Sequence, residues 1–376
     1  MSDKGMTTMA VKKINKNKVY SFIRQEVTTS KLQIVQKLQM GLSTVSQNLK
    51  ILEEEGLLEK NGYFESTGGR KAQAIQIRRT ARISIGIGIL KKMVHFVAID
   101  LYGTVIFDST QDIPYEPSLD YYRQLGLELE EFISENDLDR SSILGVSIAT
   151  QGIIAPDGQS VSYGVIMDNI QMKLSDFTEF ITYPCRLEHD SKAAAYLELW
   201  NHQEIDSAVV LLLNRNMGGS VITNRQVHQG IHMHSGIIEH LCITPDGPLC
   251  YCGCRGCLET YCSANALENA SGMGITAFFQ ELGNGGSRCR QIWDDYLNHL
   301  AFAIRNLNIM IDGSIIISGY LVPFFIEDDV TYLLNQINSS SPFTLSREQI
   351  LLGTQGQYTP AIGAALYYIR EFLQNV

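Results

Sequence analysis

The densest group of reactive side chains in the sequence is Cys250-Tyr251-Cys252-Gly253-Cys254-Arg255-Gly256-Cys257-Leu258-Glu259, with His240 nine intervening residues upstream. Thiolates and imidazole suit a borderline-soft ion such as zinc, and a structural zinc site takes four ligands in a closed tetrahedron. His240, Cys250, Cys252 and Cys257 supply such a set. Gly253 and Gly256 let the loop fold back until three sulfurs lie about 2.3 Å from one ion. Cys254 leaves a four-cysteine set without His240 as the alternative. Cys185, Cys242, Cys262 and Cys289 read as core thiols. Metal-bound sulfur is not free to attack, so nucleophilic thiol chemistry is disfavoured.

A second group is Glu188-His189-Asp190-Ser191-Lys192-Ala193-Ala194-Ala195. A carboxylate just before an Ala-rich helix sits at the positive helix end, where it can meet a ligand hydroxyl. The simpler role for Asp190 is to cap the backbone amides there.

These groups must be held by a scaffold, and the apolar runs predict one. Ile83 to Leu90, Val94 to Ile99 and Val105-Ile106-Phe107 read as strands in a meander; residues 118–135 read as a helix, and Ile143 to Ile148 as a buried strand running into Gln151-Gly152. A second block runs from Ala208-Val209-Val210 through Gly218-Gly219-Ser220-Val221-Ile222 to the strand Ile315-Ile316-Ile317-Ser318-Gly319. Two α/β lobes with a cleft between them follow. The first lobe is placed at 81–190 and the second, with the cysteine loop, at 191–359; a helix over 360–376 is expected to pack back on the first.

Residues 1–80 have a different character. They carry 14 Lys and Arg against 7 Asp and Glu, whereas residues 81–376 carry 16 against 33. A basic head on an acidic body suits a nucleic-acid reader joined to a sensing or catalytic domain. Val19, Tyr20, Phe22 and Ile23 mark one helix, and Ser30 caps a second that carries Leu32, Ile34, Val35 and Leu38. Met40-Gly41-Leu42 is a tight turn, and Ser43 is expected to cap a third helix with Val45, Leu49 and Leu52 facing inward. Ser43, Thr44, Ser46, Gln47 and Lys50 are then its DNA-contacting residues, small or hydrogen-bonding as base edges and phosphates require. Gly56 to Glu65 reads as two strands about an Asn61-Gly62 turn, the wing of a winged helix-turn-helix. The Gly68-Gly69 pair beyond it presents Arg70 and Lys71 to phosphate or the minor groove.

The chain has 376 residues, 45 % hydrophobic and 19 % charged, with nine prolines and 31 glycines, a globular profile that excludes a disordered or collagenous chain. No apolar run approaches the roughly 18 residues of a membrane span. The lysine-rich N-terminus lacks the apolar core of a signal peptide. The expected location is the cytoplasm, with no membrane partner and with thiols instead of disulfides.

The order of wing, Gly-Gly-Arg, α/β lobe, Glu-x-Asp, glycine-rich strand, Gly236-x-x-x-His240 and Cys-x-Cys-Gly-x-x-Gly-Cys-x-Glu resembles the ROK family (repressors, open reading frames and kinases), in its repressor branch. The resemblance implies an actin-like, sugar-kinase-type fold of two lobes, a structural zinc on His240, Cys250, Cys252 and Cys257, and a homodimer or homotetramer. It also implies that Asp190, His240 and Glu259 contact sugar hydroxyls, with His189 and Glu239 beside them in the effector pocket. Asp190 keeps the position of the family's kinase base. The family's Asp-x-Gly-x-Thr phosphate loop, however, reads Gly86-Ile87-Gly88-Ile89-Leu90-Lys91 here, without a carboxylate. Phosphoryl transfer depends on charge stabilisation around Mg²⁺, so kinase activity is not expected. The expectation is a repressor that binds a pseudo-palindromic operator in double-stranded DNA and releases it when a sugar or sugar phosphate enters the cleft. A sugar kinase carrying an added DNA-binding domain is the alternative.

Overall fold

The computed structural model describes residues 8–65, 71–356 and 358–376. In the head, α1 (Thr8–Glu26), β1 (Thr28–Thr29), α2 (Lys31–Leu38) and α3 (Leu42–Glu54) precede β2 (Leu58–Tyr63) and β3 (Gln73–Ile77). The three strands form an antiparallel sheet in the order β1-β3-β2. Tyr20, Ile23, Ile34, Val45, Leu49 and Leu52 share one buried cluster, each such side chain contributing about 1.5–3 kcal/mol of burial.

Three local expectations need correction. α1 begins at Thr8, well before the Val19–Ile23 group that marks it, and its earlier apolar residues Val11 and Ile14 stay exposed. Its polar turns are held from outside: Lys16 pairs with Glu55 at 2.7 Å, and Asn17 Nδ2 donates to the Leu373 carbonyl at 3.0 Å. Ser43 is not a cap. The first helical bond runs from Val45 N–H to the Gly41 carbonyl, which makes Gly41 the N-cap and leaves Ser43 inside α3. Ser30 does cap α2, accepting from Gln33 N–H at 3.3 Å while Gln33 Oε1 accepts from Ser30 N–H at 2.9 Å.

The Asn61-Gly62 pair does not turn the wing. It lies within β2, where Lys60 pairs with Ile75 and Tyr63 with Gln73. Gly62, at φ 75°, absorbs the one extra residue as a bulge, and the connection to β3 comes later. Arg70, predicted to contact DNA, lies outside the described residues.

The body contains two sheets of the same design. The first holds β4 (Ile83–Ile89), β5 (Val94–Ile99), β6 (Val105–Gln111), β7 (Ile143–Thr150) and β10 (Cys185–His189), in the order β10-β7-β4-β5-β6. Between β7 and β10 come the small hairpin β8 (Ile153–Ile154) and β9 (Val161–Tyr163) and the short α5 (Leu174–Thr178). The second sheet holds β11 (Ala208–Leu212), β12 (Gly218–Thr223), β13 (Gln226–Val227), β14 (Ser314–Gly319) and β15 (Ile350–Gln355), in the order β13-β12-β11-β14-β15. In each sheet an antiparallel meander is extended by two parallel strands beside its first strand.

The first sheet buries one face under α4 (Leu119–Glu135), where Leu125, Leu129 and Phe132 meet Ile85, Ile87 and Phe96. The second packs on α10 (Ser287–Met310), whose Trp293, Leu300 and Ile304 meet Leu211, Ile315 and Ile317. The short helices α7 (Glu259–Cys262), α8 (Ala264–Ser271) and α9 (Ile275–Gly283) lead into α10, and α11 (Glu327–Ser339) flanks it.

Two helices join the lobes. α6 (Asp190–Asn201) leaves the first sheet and contacts β11 and β12 of the second. α12 (Thr359–Asn375) leaves the second sheet and lies on β4, β5 and β7 of the first, with α6 packed along it. The approach is close: a Cβ on Gly86 would stand 1.9 Å from the Ala361 carbonyl oxygen, and one on Gly363 would stand 1.8 Å from that of Ala193. The glycines of β4 therefore seat α12. No helix among the described residues is long and apolar enough to cross a membrane.

Candidate functional site

The cysteine loop folds back as its glycines permit. Cys250 N–H donates to the Cys254 carbonyl at 2.8 Å, and Gly256, at φ 71°, passes so near the Thr244 carbonyl that a side chain there would collide with it. The result brings the ligand atoms of His240, Cys250, Cys252 and Cys257 within 4.8 Å of one another. Cys252 and Cys257 sulfurs lie 3.7 Å apart, and Cys250 sulfur lies 3.7 Å from His240 Nδ1. Tetrahedral zinc with Zn–S bonds of about 2.3 Å places its sulfurs about 3.8 Å apart. The four residues therefore fit a zinc ion. Cys254 is exposed and stands outside the converging set, so the four-cysteine alternative does not form.

His240 also faces a recess between the lobes. The 3-10 turn Ile238–His240 brings in Glu239 and His240; the end of β10 and the start of α6 bring in His189, Asp190 and Ser191; Gln151, Tyr163 and Tyr251 complete the polar side. Ile153, Val165, Ile166, Met217 and Ile237 supply the apolar side. A mixed wall of this kind suits a ring with hydroxyls on its edge and C–H groups on its face.

Asp190 Oδ1 accepts from Ser191 N–H at 2.7 Å and from Ser191 Oγ at 3.1 Å, and His189 Nε2 lies 3.4 Å from the same oxygen. Asp190 is the first residue of α6, whose N-cap is His189 without a side-chain capping bond, so the carboxylate serves only the neighbouring Ser191 and is not the helix cap read from the sequence. Burial holds the His189 imidazole below its ordinary pKa and so neutral. Burial raises the Glu239 pKa well above its ordinary value, with Asp190 and Glu259 adding to the shift. Glu239 Oε2 and His189 Nδ1 are both buried without a hydrogen-bond partner among the described residues. Two unpartnered polar atoms in one recess call for a polar ligand.

Glu259 does not line this recess. Its carboxylate accepts from Asn216 Nδ2 at 2.9 Å and from Met217 N–H at 2.6 Å, and burial moves its pKa up to about 7. It acts on the recess at one remove, by holding Met217. Sequence reasoning missed Tyr163 and Tyr251, which come from separate loops, and Lys192. Lys192 is buried in α6 and donates to the carbonyls of Met233 at 2.8 Å and Gln229 at 3.3 Å, pinning the loop that leads to Glu239. A lone lysine among alanines was the available signal.

On the head, Gln47 and Lys50 of α3 are exposed, while Thr44 and Ser46 are half-buried. A groove between α3 and the β2–β3 pair is lined by Lys31, Ser46, Lys50, Lys60 and Lys71 and by Glu53, which pairs with Lys60 at 2.9 Å. Lys31 and Lys60 were not among the predicted contacts.

Doubled sheets joined by crossing helices, with a recess between them, define an actin-like, sugar-kinase-type protein. The ROK family model matches residues 83–371, and the chain belongs to the ROK family. It is 25 % identical over 264 residues to the DNA-binding transcriptional dual regulator NagC of Escherichia coli K12, a stretch covering 69 % of this chain and 64 % of that protein. The chain therefore spans less than two thirds of that relative's length. Among solved structures, a ROK family transcriptional regulator homologous to E. coli MLC superposes with a TM-score of 0.71 at 20 % identity, covering 97 % of both chains. A ROK family glucokinase from Streptomyces griseus, in complex with glucose and AMPPNP, superposes with a TM-score of 0.63 at 19 % identity, covering 75 % of this chain and 98 % of the other.

Proposed function

We propose that this protein is a cytoplasmic, sugar-responsive transcriptional repressor. Its head is a winged helix-turn-helix that reads operator DNA as part of a homodimer or homotetramer, and its recess receives a carbohydrate effector that releases the DNA. One observation carries the reading. A basic module with a polar α3 face is joined to a ROK body whose first strand pair offers glycines to α12 where a kinase would need a carboxylate for its metal. The regulatory names of the relatives support it.

In this reading Ser43, Thr44, Ser46, Gln47 and Lys50 face the major groove, and Arg70 and Lys71 reach the backbone or minor groove. His189, Asp190, Glu239 and His240 meet effector hydroxyls, with Glu259 supporting Met217. A structural zinc on His240, Cys250, Cys252 and Cys257 fixes the imidazole that faces the effector. Effector binding shifts DNA affinity only if the ligand prefers the lobe arrangement that grips DNA poorly.

Fluorescence anisotropy on the protein's own promoter region, with and without a panel of monosaccharides and sugar phosphates, tests the proposal. Binding that weakens with salt and with one sugar is expected. Indifference to promoter fragments, or steady nucleotide turnover abolished by Asp190→Asn, would favour the kinase.

A further inference from the structure

The groove between α3 and the β2–β3 pair, about 600 Å³ in volume, holds more than cations. Leu32 of α2, Leu42 of α3 and Tyr63 of β2 also line it, and they are 60 %, 58 % and 64 % exposed. None of the three belongs to the buried cluster of the head, to which α3 contributes Val45, Leu49 and Leu52. A single exposed leucine is ordinary, but large apolar groups gathered in one groove mark a contact surface.

Leu42, Ser46 and Lys50 follow at four-residue spacing and so share the face of α3 that lines the groove. Ser46 Oγ donates to the Leu42 carbonyl at 2.6 Å, which spends its proton inside the helix. What the first turn of α3 offers on this face is therefore the apolar side chain of Leu42. The N-terminal end of a recognition helix is the end that meets base edges.

The surroundings are basic. Lys31, Lys50, Lys60 and Lys71 stand against Glu53, which pairs with Lys60. Lys31 and Lys71 are exposed and form no ion pair among the described residues. Cations around an apolar centre match the major groove of duplex DNA, where phosphates flank base edges and thymine projects its C5 methyl group. The minor groove presents no such methyl.

We infer that Leu42 is a specificity-determining residue that packs on the C5 methyl group of a thymine. The inference rests on the operator-binding reading above and commits it to a T·A pair at one position of each half-site.

Anisotropy titrations of the full chain test this with two copies of the promoter fragment, one made with thymidine and one with deoxyuridine throughout. The copies carry the same phosphates and the same hydrogen-bonding edges and differ in the C5 methyl groups. The wild type should bind the uracil copy about fourfold more weakly for each half-site, the effect of one buried methyl. Leu42→Ala should bind the thymine copy more weakly and show a preference between the copies reduced by that factor. Its melting temperature should not change, because the side chain is exposed. Lys31→Ala should weaken binding to both copies alike and keep the preference. Equal binding of the two copies by the wild type, or a thymine preference undiminished by Leu42→Ala, overturns the methyl contact and leaves operator binding standing. Failure to bind either copy overturns the operator reading and the contact together.

Discussion

The guanidinium of Arg24, in α1 of the head, lies over the indole of Trp200, in α6 of the body, at 4.7 Å from the ring centroid. The same guanidinium lies 5.5 Å from the Tyr102 ring centroid, Trp200 Nε1 donates to the Tyr102 carbonyl at 3.1 Å, and Arg24 Nε donates to that of Leu101 at 3.3 Å. The same α6 begins at Asp190 in the recess. Ten residues of helix, about 15 Å, separate the candidate effector contact from the clasp on the head.

Replacing Arg24 with Met should therefore loosen the head on the body while keeping much of the stem packing. A partly desolvated cation over an aromatic ring is worth about 1–2 kcal/mol. Guanidinium denaturation should show a loss of that size, and the emission of Trp200 should change; a Trp293→Phe background makes Trp200 the sole reporter, since the chain has two tryptophans.

Replacing Cys252 with Ser should abolish stoichiometric zinc, because three remaining ligands do not close a structural site. Elemental analysis of the purified protein checks this, and thermal unfolding should fall with it. Cys254→Ser should retain the metal. Unchanged zinc in the Cys252 variant would refute the ligand set.

On the head, Gln47→Ala should cost about 1–3 kcal/mol of operator binding and relax preference at one base pair, as loss of a base contact does. Lys71→Ala should weaken binding to all sequences alike and lower the salt slope by about one. Anisotropy titrations at several salt concentrations distinguish the two effects.

Lys192 predicts a pH dependence. Burial lowers its pKa from 10.5 to about 8, with Glu188 opposing the shift. Between those values the unfolded chain keeps a proton that the native protein has lost, so this group makes stability rise with pH across that window. Below pH 8 its full penalty is present, and above 10.5 it vanishes. The span is about 3 kcal/mol at most. Denaturant melts from pH 7 to 10.5 should show that rise in the wild type relative to Lys192→Met.

The sequence disclosed most where one local rule suffices. Runs such as Ile143 to Ile148 and Ala208 to Leu212 are buried strands because neither face of either run carries a charge. The converging His/Cys cluster was legible because three of its members lie within eight residues and glycines dictate the loop. The first turns of α1 were not, since Val11 and Ile14 stay exposed there and the helix depends on Glu55 and Leu373 from elsewhere. β10 was hidden because Arg186 and Glu188 pair with each other at 2.8 Å, allowing charged residues into a buried strand. Glu259 shows the same limit at the site: its partners, Asn216 and Met217, lie far back in the chain, and no spacing rule announces them.

The apolar interior of the head runs without a break into the opposite end of the molecule: Tyr20, Ile23 and Ile77 share one cluster with Leu197, Ala365, Leu366 and Ile369. During synthesis the first helices leave the ribosome long before the segment that completes their packing. If the head binds DNA as proposed, it should reach its finished form only after Thr359–Asn375 has emerged, so that a nascent or C-terminally clipped chain would be a poor competitor for promoter sites.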